Sequence, residues 1–426
     1  MVTRDENQVL TRTGPGTPMG DLLRRYWIPA LLPEELPAPD CPPVRVTLMG
    51  ERLVAFRDTA GRIGLVEEFC AHRRVSLWFG RNEEGGLRCP YHGWKYDVTG
   101  QCVDLPSEPE ETGMRKRICL TAYPCVERGG VVWAYMGPKE LQPELPGFEW
   151  MGVVPERRYV SKRLQDCNWL QAVEGGIDSS HVAFLHSDLY SANAASKTLR
   201  LSARDKNPVF EVAPFDGGLL VGARRNAEAG TYYWRITPFI MPFYTLIPPG
   251  TYSTLDAHAW VPIDDEHCWT WSISFHPDRA LNRTELAEFK GGGWIHVRYV
   301  PGTYVPEKNK SNDYLMSREA QAAGKAFNGV TGISEQDASV QESQGPIIDR
   351  TQENLVSTDN GIIMARRLLL QSLRGLAAGK PPVGLDAAAQ RVRACTVELP
   401  REVPFKEGAR DRLFALDRAA FTLDTV

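Results

Sequence analysis

Four residues in two short clusters constrain this chain of 426 residues more than anything else in it: Cys70-Ala-His72 and Cys89-Pro-Tyr-His92, with sixteen residues between them. Thiolate and imidazole are metal ligands, and each cluster brings one of each to a single turn. Two such turns, at the tips of β-hairpins, can clamp one compact metal centre. The surrounding residues must therefore fold as a small β unit that carries both tips. Two Cys and two His fit either zinc or a two-iron cluster in which imidazoles replace two thiolates. Zinc fingers usually leave about two to four residues between cysteines. The Cys-x-His pair leaves one, and each tip offers one sulfur and one nitrogen, which the mixed-ligand cluster requires. Zinc remains the alternative reading.

The flanking sequence agrees with a β unit. Val44-Arg-Val-Thr-Leu-Met and Arg52-Leu-Val-Ala-Phe-Arg are β-rich runs about Gly50-Glu51, and Asp58-Thr-Ala-Gly-Arg and Asp97-Val-Thr-Gly-Gln are turn signals. Val131-Val-Trp-Ala-Tyr-Met closes the block, before a Pro-rich link at Gln142-Pro-Glu-Leu-Pro-Gly. Beyond it, Trp169 to His186 has helical composition, and about Ser196 to Phe275 returns to β patterning. Helical stretches follow at about Ser334–Gln344 and Thr358–Gly375. The fold class expected is α+β, with an antiparallel β domain followed by a domain built on a large antiparallel sheet flanked by helices. Nine cysteines spread thinly do not form a disulfide framework. Cys102, Cys119 and Cys125 are expected to be buried small hydrophobes.

The second cluster of chemistry runs from Asp166 to His186 and contains Glu174, Asp178, His181 and His186. Five residues on an ideal helix turn through about 500°, so the two His side chains would point about 140° apart. They can share a metal only if the helix is distorted or ends between them, and Gly175-Gly176 is a weak point just upstream. Taken alone, two unrelated histidines at the end of an amphipathic helix explain the pair equally well.

Cys89-Pro-Tyr-His-Gly-Trp-Lys-Tyr closely resembles the Rieske signature. The later segment resembles the motif (E/D)-x3-D-x2-H-x4-H of ring-hydroxylating oxygenases, matched at Glu174, Asp178, His181 and His186. Gly14-Pro-Gly-Thr-Pro-Met-Gly, Tyr232-Tyr-Trp-Arg-Ile-Thr-Pro-Phe and Gln341-Glu-Ser-Gln-Gly-Pro-Ile-Ile-Asp-Arg extend the likeness to phthalate dioxygenase-type α subunits over nearly the whole chain. The resemblance implies a Rieske [2Fe–2S] cluster on Cys70, His72, Cys89 and His92, and a mononuclear Fe(II) on His181, His186 and a later carboxylate. Asp337, in Glu335-Gln-Asp-Ala-Ser-Val-Gln-Glu, fits that carboxylate best, with Asp349 and Asp359 as runners-up. It implies a 1–26 segment packing on the catalytic domain, a Rieske domain over 27–141 and a catalytic domain over 142–426. It also implies a homotrimer or stacked hexamer in which Asp178 bridges an iron-ligating His to His92 of a neighbouring subunit.

The activity implied is O2-dependent hydroxylation, as cis-dihydroxylation, of an aromatic carboxylate such as a phthalate. A separate NADH-dependent flavin and iron–sulfur reductase would supply electrons. The alternatives are a Rieske monooxygenase or aryl-ether O-demethylase and a diaryl-ether-cleaving dioxygenase; a pure electron carrier or a zinc-stabilised binding protein lies further off. A substrate carboxylate in an apolar pocket calls for a forked cation, and Arg200, Arg204, Arg224, Arg225 and Arg235 fall in the expected sheet region. The net charge of −4 argues against a nucleic-acid partner. With no secretory signal pattern and no apolar run of about 18–20 residues, the expectation is a cytoplasmic protein with no membrane partner.

Overall fold

Short β runs and tight turns build the first third of the computed structural model, which describes residues 2–189, 194 and 196–418. The strands Val44–Leu48 and Glu51–Arg57 form a hairpin whose two turn residues, Met49 and Gly50, take φ values of 47° and 78°. Both positive angles match the twist of the flanking strands. Ile63–Glu67 and Ala122–Tyr123 complete a four-stranded antiparallel sheet. A second four-stranded sheet runs Arg81–Glu83, Gly86–Arg88, Lys95–Tyr96 and Cys102–Asp104, and a three-stranded one joins Trp27–Leu31, Val131–Tyr135 and Cys125–Arg128. Val54, Phe56, Val66, Leu77, Leu87 and Tyr96 form the core, and Cys70 and Cys89 are buried in it. Cys102 is buried too, whereas Cys119 is exposed and Cys125 half-buried, contrary to expectation.

The chain divides into two compact units, Thr13–Pro143 and Met1–Arg12 with Glu144–Val426. The 1–26 segment is thus shared. Arg24 belongs to the β unit, where its guanidinium bonds Glu51 and the carbonyls of Thr13 and Met49. The helix Arg4–Thr11 belongs to the other unit. Asn7 donates to the Ile348 carbonyl and accepts from Arg350, and Asn168 donates to the Thr11 carbonyl.

An eight-stranded antiparallel sheet dominates the larger unit. Its order is Arg158–Gln165, Cys268–Phe275, Leu255–Pro262, Tyr244–Ile247, Thr231–Ile240, Gly218–Asn226 and Val209–Phe215, with Cys395–Pro400 also pairing Thr231–Ile240. One stretch read as β is not: Lys197–Arg204 is an amphipathic helix, and the first strand of that region starts at Val209. Side chains alternate between faces. The register therefore puts Arg163, Thr270, His258, Thr245, Thr237 and Arg235 on one face. The helix Trp169–Ile177 lies on that face. A Cβ on Gly176 would come 2.2 Å from the Trp260 ring, and one on Gly175 2.2 Å from the Gln341 amide. The two glycines let the helix approach the sheet and the helix Ile333–Ser343. Glu174 anchors its other side, buried between Arg350 at 3.0 Å and Arg366 at 2.7 Å. Burial opposes its charge, but the two guanidiniums outweigh burial and hold its carboxyl low.

Candidate metal centres

The first centre lies on two loops of the β unit. Cys70-Ala-His72 follows the strand Ile63–Glu67, and the loop is reversed by Arg74 at φ 59° and by the bond from the Cys70 amide to the Val75 carbonyl, 2.9 Å. The second loop joins Gly86–Arg88 to Lys95–Tyr96. There the Cys89 amide meets the Trp94 carbonyl at 2.8 Å, and Gly93 takes φ 77°, where a Cβ would lie 2.9 Å from Pro106. The loops bring their ligand-type side chains together. Burial pushes the Cys89 thiol up, and the neighbouring Cys70 adds to the shift. The rings of His72 and His92 meet edge to face at 4.5 Å, and Trp94 stacks on His72. The Tyr96 hydroxyl lies 3.2 Å from Cys70 Sγ. The two cysteines are buried and the two histidines more exposed, a donor set that suits a cluster with one iron on each pair.

The second centre forms where the helix Trp169–Ile177 stops. Helical composition continues to His186, but Asp178 leaves the helix at ψ 125°, and His181–Ala183 is a separate 3-10 turn. The break removes the angular separation an intact helix would impose. The His181 and His186 rings lie 5.1 Å apart, and their Nε2 atoms are 3.6 and 3.1 Å from Asp337 Oδ1. One ligand atom from each of the three residues lies within 4.8 Å of the others. Asp337 comes from the helix Ile333–Ser343. Asp349 instead caps Thr351, and Asp359 accepts from the Val356 amide.

Hydrogen bonds fix which ring nitrogen faces the centre. Gln336 Nε2 donates to the Val330 carbonyl, so its Oε1 faces His186 Nδ1 at 2.7 Å. Asp178 Oδ2 lies 3.3 Å from His181 Nδ1, while Oδ1 accepts from the amide and hydroxyl of Ser180, both at 2.6 Å. Each Nδ1 thus carries its proton toward an acceptor, and each Nε2 lone pair is free for a metal. Burial opposes ionisation of Asp178, but the bonds from His181 and Ser180 prevail and bring it to about 2. Two neutral imidazoles and one carboxylate on one side are the donor set of non-heme Fe(II) sites.

The centre opens into a cavity of about 80 Å³, counted as the space open to the centres of water-sized spheres. Val182, Leu189, Ile247, Trp260 and Ile295 supply apolar wall. Of the five arginines in the expected sheet region, Arg235 lines the cavity, 3.3 Å from the Ser179 hydroxyl. Arg225 is buried and donates to the Ser179 carbonyl. Arg224 stacks on Tyr232, and Arg200 and Arg204 are exposed on the helix Lys197–Arg204. Sequence reasoning missed Gln336, Gln341, His258 and Arg163, all at or beside the cavity. Only strand register and the place of one helix distinguish them from ordinary polar residues.

A cysteine–histidine β unit and a sheet-based unit with two histidines and a carboxylate define an iron-dependent oxygenase subunit. Residues 26–124 match the Rieske [2Fe-2S] domain, and residues 134–407 match the LigXa C-terminal domain like family. The chain belongs to the Rieske oxygenase α subunits, which use a [2Fe–2S] cluster and a mononuclear iron. It is 37% identical to the phthalate 4,5-dioxygenase oxygenase subunit of Pseudomonas putida, over 98% of this chain and 97% of that one. It is 40% identical to the 3-chlorobenzoate-3,4-dioxygenase oxygenase subunit of Comamonas testosteroni, over 92% and 93%. The crystal structure of dicamba monooxygenase bound to dicamba shares the fold, with a TM-score of 0.56 at 21% identity over 84% of this chain and 99% of that one.

Proposed function

We propose that this chain hydroxylates an aromatic carboxylate, with Cys70, His72, Cys89 and His92 holding the cluster and His181, His186 and Asp337 the mononuclear iron. The observation that carries this reading is that His181, His186 and Asp337 converge in a cavity that Arg235 also lines from the sheet face. When bound, the mononuclear iron supplies O2 activation, with electrons delivered by a separate reductase through the cluster. The chain's own residues do the rest. Arg235 takes the substrate carboxylate through its forked N–H groups. Apolar walls hold the ring beside the centre and keep water away. Asp178 and Gln336 hold the protons on His181 Nδ1 and His186 Nδ1, so that neither ring turns. Both closely related oxygenase subunits are named for aromatic acids, which supports the substrate class.

The test is turnover of a panel of aromatic acids by the purified protein with a matching reductase and NADH. Oxygenated product from at least one acid is expected. Asp337→Ala should lose mononuclear iron and turnover while keeping the visible cluster spectrum. Full activity in that variant, or no turnover of any aromatic acid by the unaltered protein, would sink the reading. A cis-diol product separates dioxygenation from O-demethylation.

A further inference from the structure

A cation not used so far also enters the cavity. Arg163 stands on the strand Arg158–Gln165, opposite Thr270, and is 4% exposed. Its Nε and Nη1 are closed off from solvent and have no hydrogen-bond partner among the described residues, so the remaining amino group, Nη2, is the part open to a ligand. A guanidinium does not give up its proton in a protein, and leaving it buried and unpaired is strongly unfavourable.

No carboxylate among the described residues is hydrogen-bonded to Arg163 Nε or Nη1. Asp337 belongs to the candidate iron site, its Oδ1 3.6 and 3.1 Å from Nε2 of His181 and His186. Glu342, on the same helix as Asp337, accepts from the Tyr314 hydroxyl, and burial pushes its carboxyl up. His258 is lowered to about 4 by burial and so stays neutral. Arg235 reaches the same cavity from Thr231–Ile240, with three strands between its strand and that of Arg163. Two guanidiniums thus enter one cavity from well-separated strands.

We infer that Arg163 binds a second anionic group of the substrate, so that the preferred substrate is an aromatic dicarboxylate with its carboxylates at non-adjacent ring positions. One carboxylate meets Arg235, the other meets Arg163, and the ring lies between them. A monocarboxylate satisfies Arg235 and leaves Arg163 unpaired. Adjacent carboxylates crowd onto one cation. This inference rests on the reading of the cavity as an aromatic-acid site.

Calorimetric binding to the holoprotein, without O2 or reductase, tests it with benzoate and the 1,2-, 1,3- and 1,4-benzenedicarboxylates. The 1,3- or 1,4-isomer should bind at least about tenfold tighter than benzoate, the scale of one charge-assisted pair. Arg163→Gln should erase that advantage and leave benzoate binding within about twofold. Arg163→Lys should retain part of it, and Arg235→Gln should weaken every acid. Intact cluster absorbance establishes that each variant is folded. If Arg163→Gln leaves the diacids unaffected or weakens benzoate equally, Arg163 has no second-group role. Tightest binding of the 1,2-isomer also overturns the inference. If no aromatic acid binds the unaltered protein, the aromatic-acid reading itself fails, and that result is obtained before any variant is made.

Discussion

A ring nitrogen's readiness to bind metal is decided by what its other nitrogen touches. His186 faces Gln336 Oε1 at 2.7 Å, and that amide is itself held by the Val330 carbonyl. Gln336→Leu removes the acceptor while keeping much of the bulk. Losing such a partner typically costs about 10–100-fold in metal affinity. Titration of the metal-depleted protein with Fe(II), followed by iron analysis, should show a loss of that order with an unchanged cluster spectrum. Unaltered affinity would show that packing alone orients the ring. Gln336 also illustrates what sequence can and cannot display. The four ligand-type residues of the first centre are bunched at unusual spacings and were legible at once. His181 and His186 were legible through their motif, although their spacing contradicts a regular helix. Gln336 and Arg163 carry no local pattern, since a lone Gln on a helix or a lone Arg in a strand is usually solvated. Their roles exist only after the register pairing Arg163 with Thr270 and the docking of Ile333–Ser343 are in place.

Two elements decide whether the second centre assembles: the glycine-marked helix and the polar sheet face under it. Gly175-Gly176 reads from sequence as a weak point in a helix, whereas the structure makes it a contact, because Trp260 and Gln341 occupy the space of the missing side chains. Gly176→Ala should lift the helix from the sheet and destabilise the unit by about 1–3 kcal/mol, the usual cost of overpacking. A lowered thermal midpoint with reduced iron content is expected, and an unchanged midpoint would mean the helix shifts without strain. The same face carries a buried chain from Ser161 through His296 and Ser274 to Asp256. Burial raises the Asp256 carboxyl to about 6 from an ordinary 3.8, and burial lowers His296 to about 3. Between pH 3.8 and 6 the folded state holds a proton on Asp256 that the unfolded state has released, so Asp256 contributes stability below 3.8 that is lost as pH rises through 6. His296 works oppositely. The unfolded state takes up its proton first, so stability falls as pH drops below 6.5. Asp256→Asn removes the first effect alone. Relative to the unaltered protein, the variant should gain stability from pH 3.8 to 6, with a slope of up to about 1.4 kcal/mol per pH unit. Chemical denaturation across that range measures it, and parallel curves would show that Asp256 ionises normally.

At the scale of the molecule, Asp178 tests whether the oxygenase works as separate subunits or as a ring of them. One of its oxygens is committed to Ser180, the other faces His181, and its side chain is still 21% exposed. If that carboxylate also reaches His92 of a neighbouring subunit, as in a trimer, Asp178→Asn should keep both metals yet slow oxidation of the pre-reduced cluster by at least about tenfold in a single turnover, the loss of one charge-assisted contact. A rate equal to that of the unaltered protein, with both metals present, would leave Asp178 as a residue that orients His181 and nothing more.

The larger unit is also stitched from both sides of the smaller one. Asn7 is bonded to partners 341 and 343 positions further along the chain. On a ribosome adding roughly 5–20 residues each second, the helix Arg4–Thr11 waits about 17–70 s for those partners to emerge. Meanwhile Thr13–Pro143 is translated in full and can close around the loops that carry Cys70, His72, Cys89 and His92. The cluster-bearing unit is thus born first, tethered to a short helix that has nothing yet to hold. The oxygen-handling half becomes whole only near the end of synthesis.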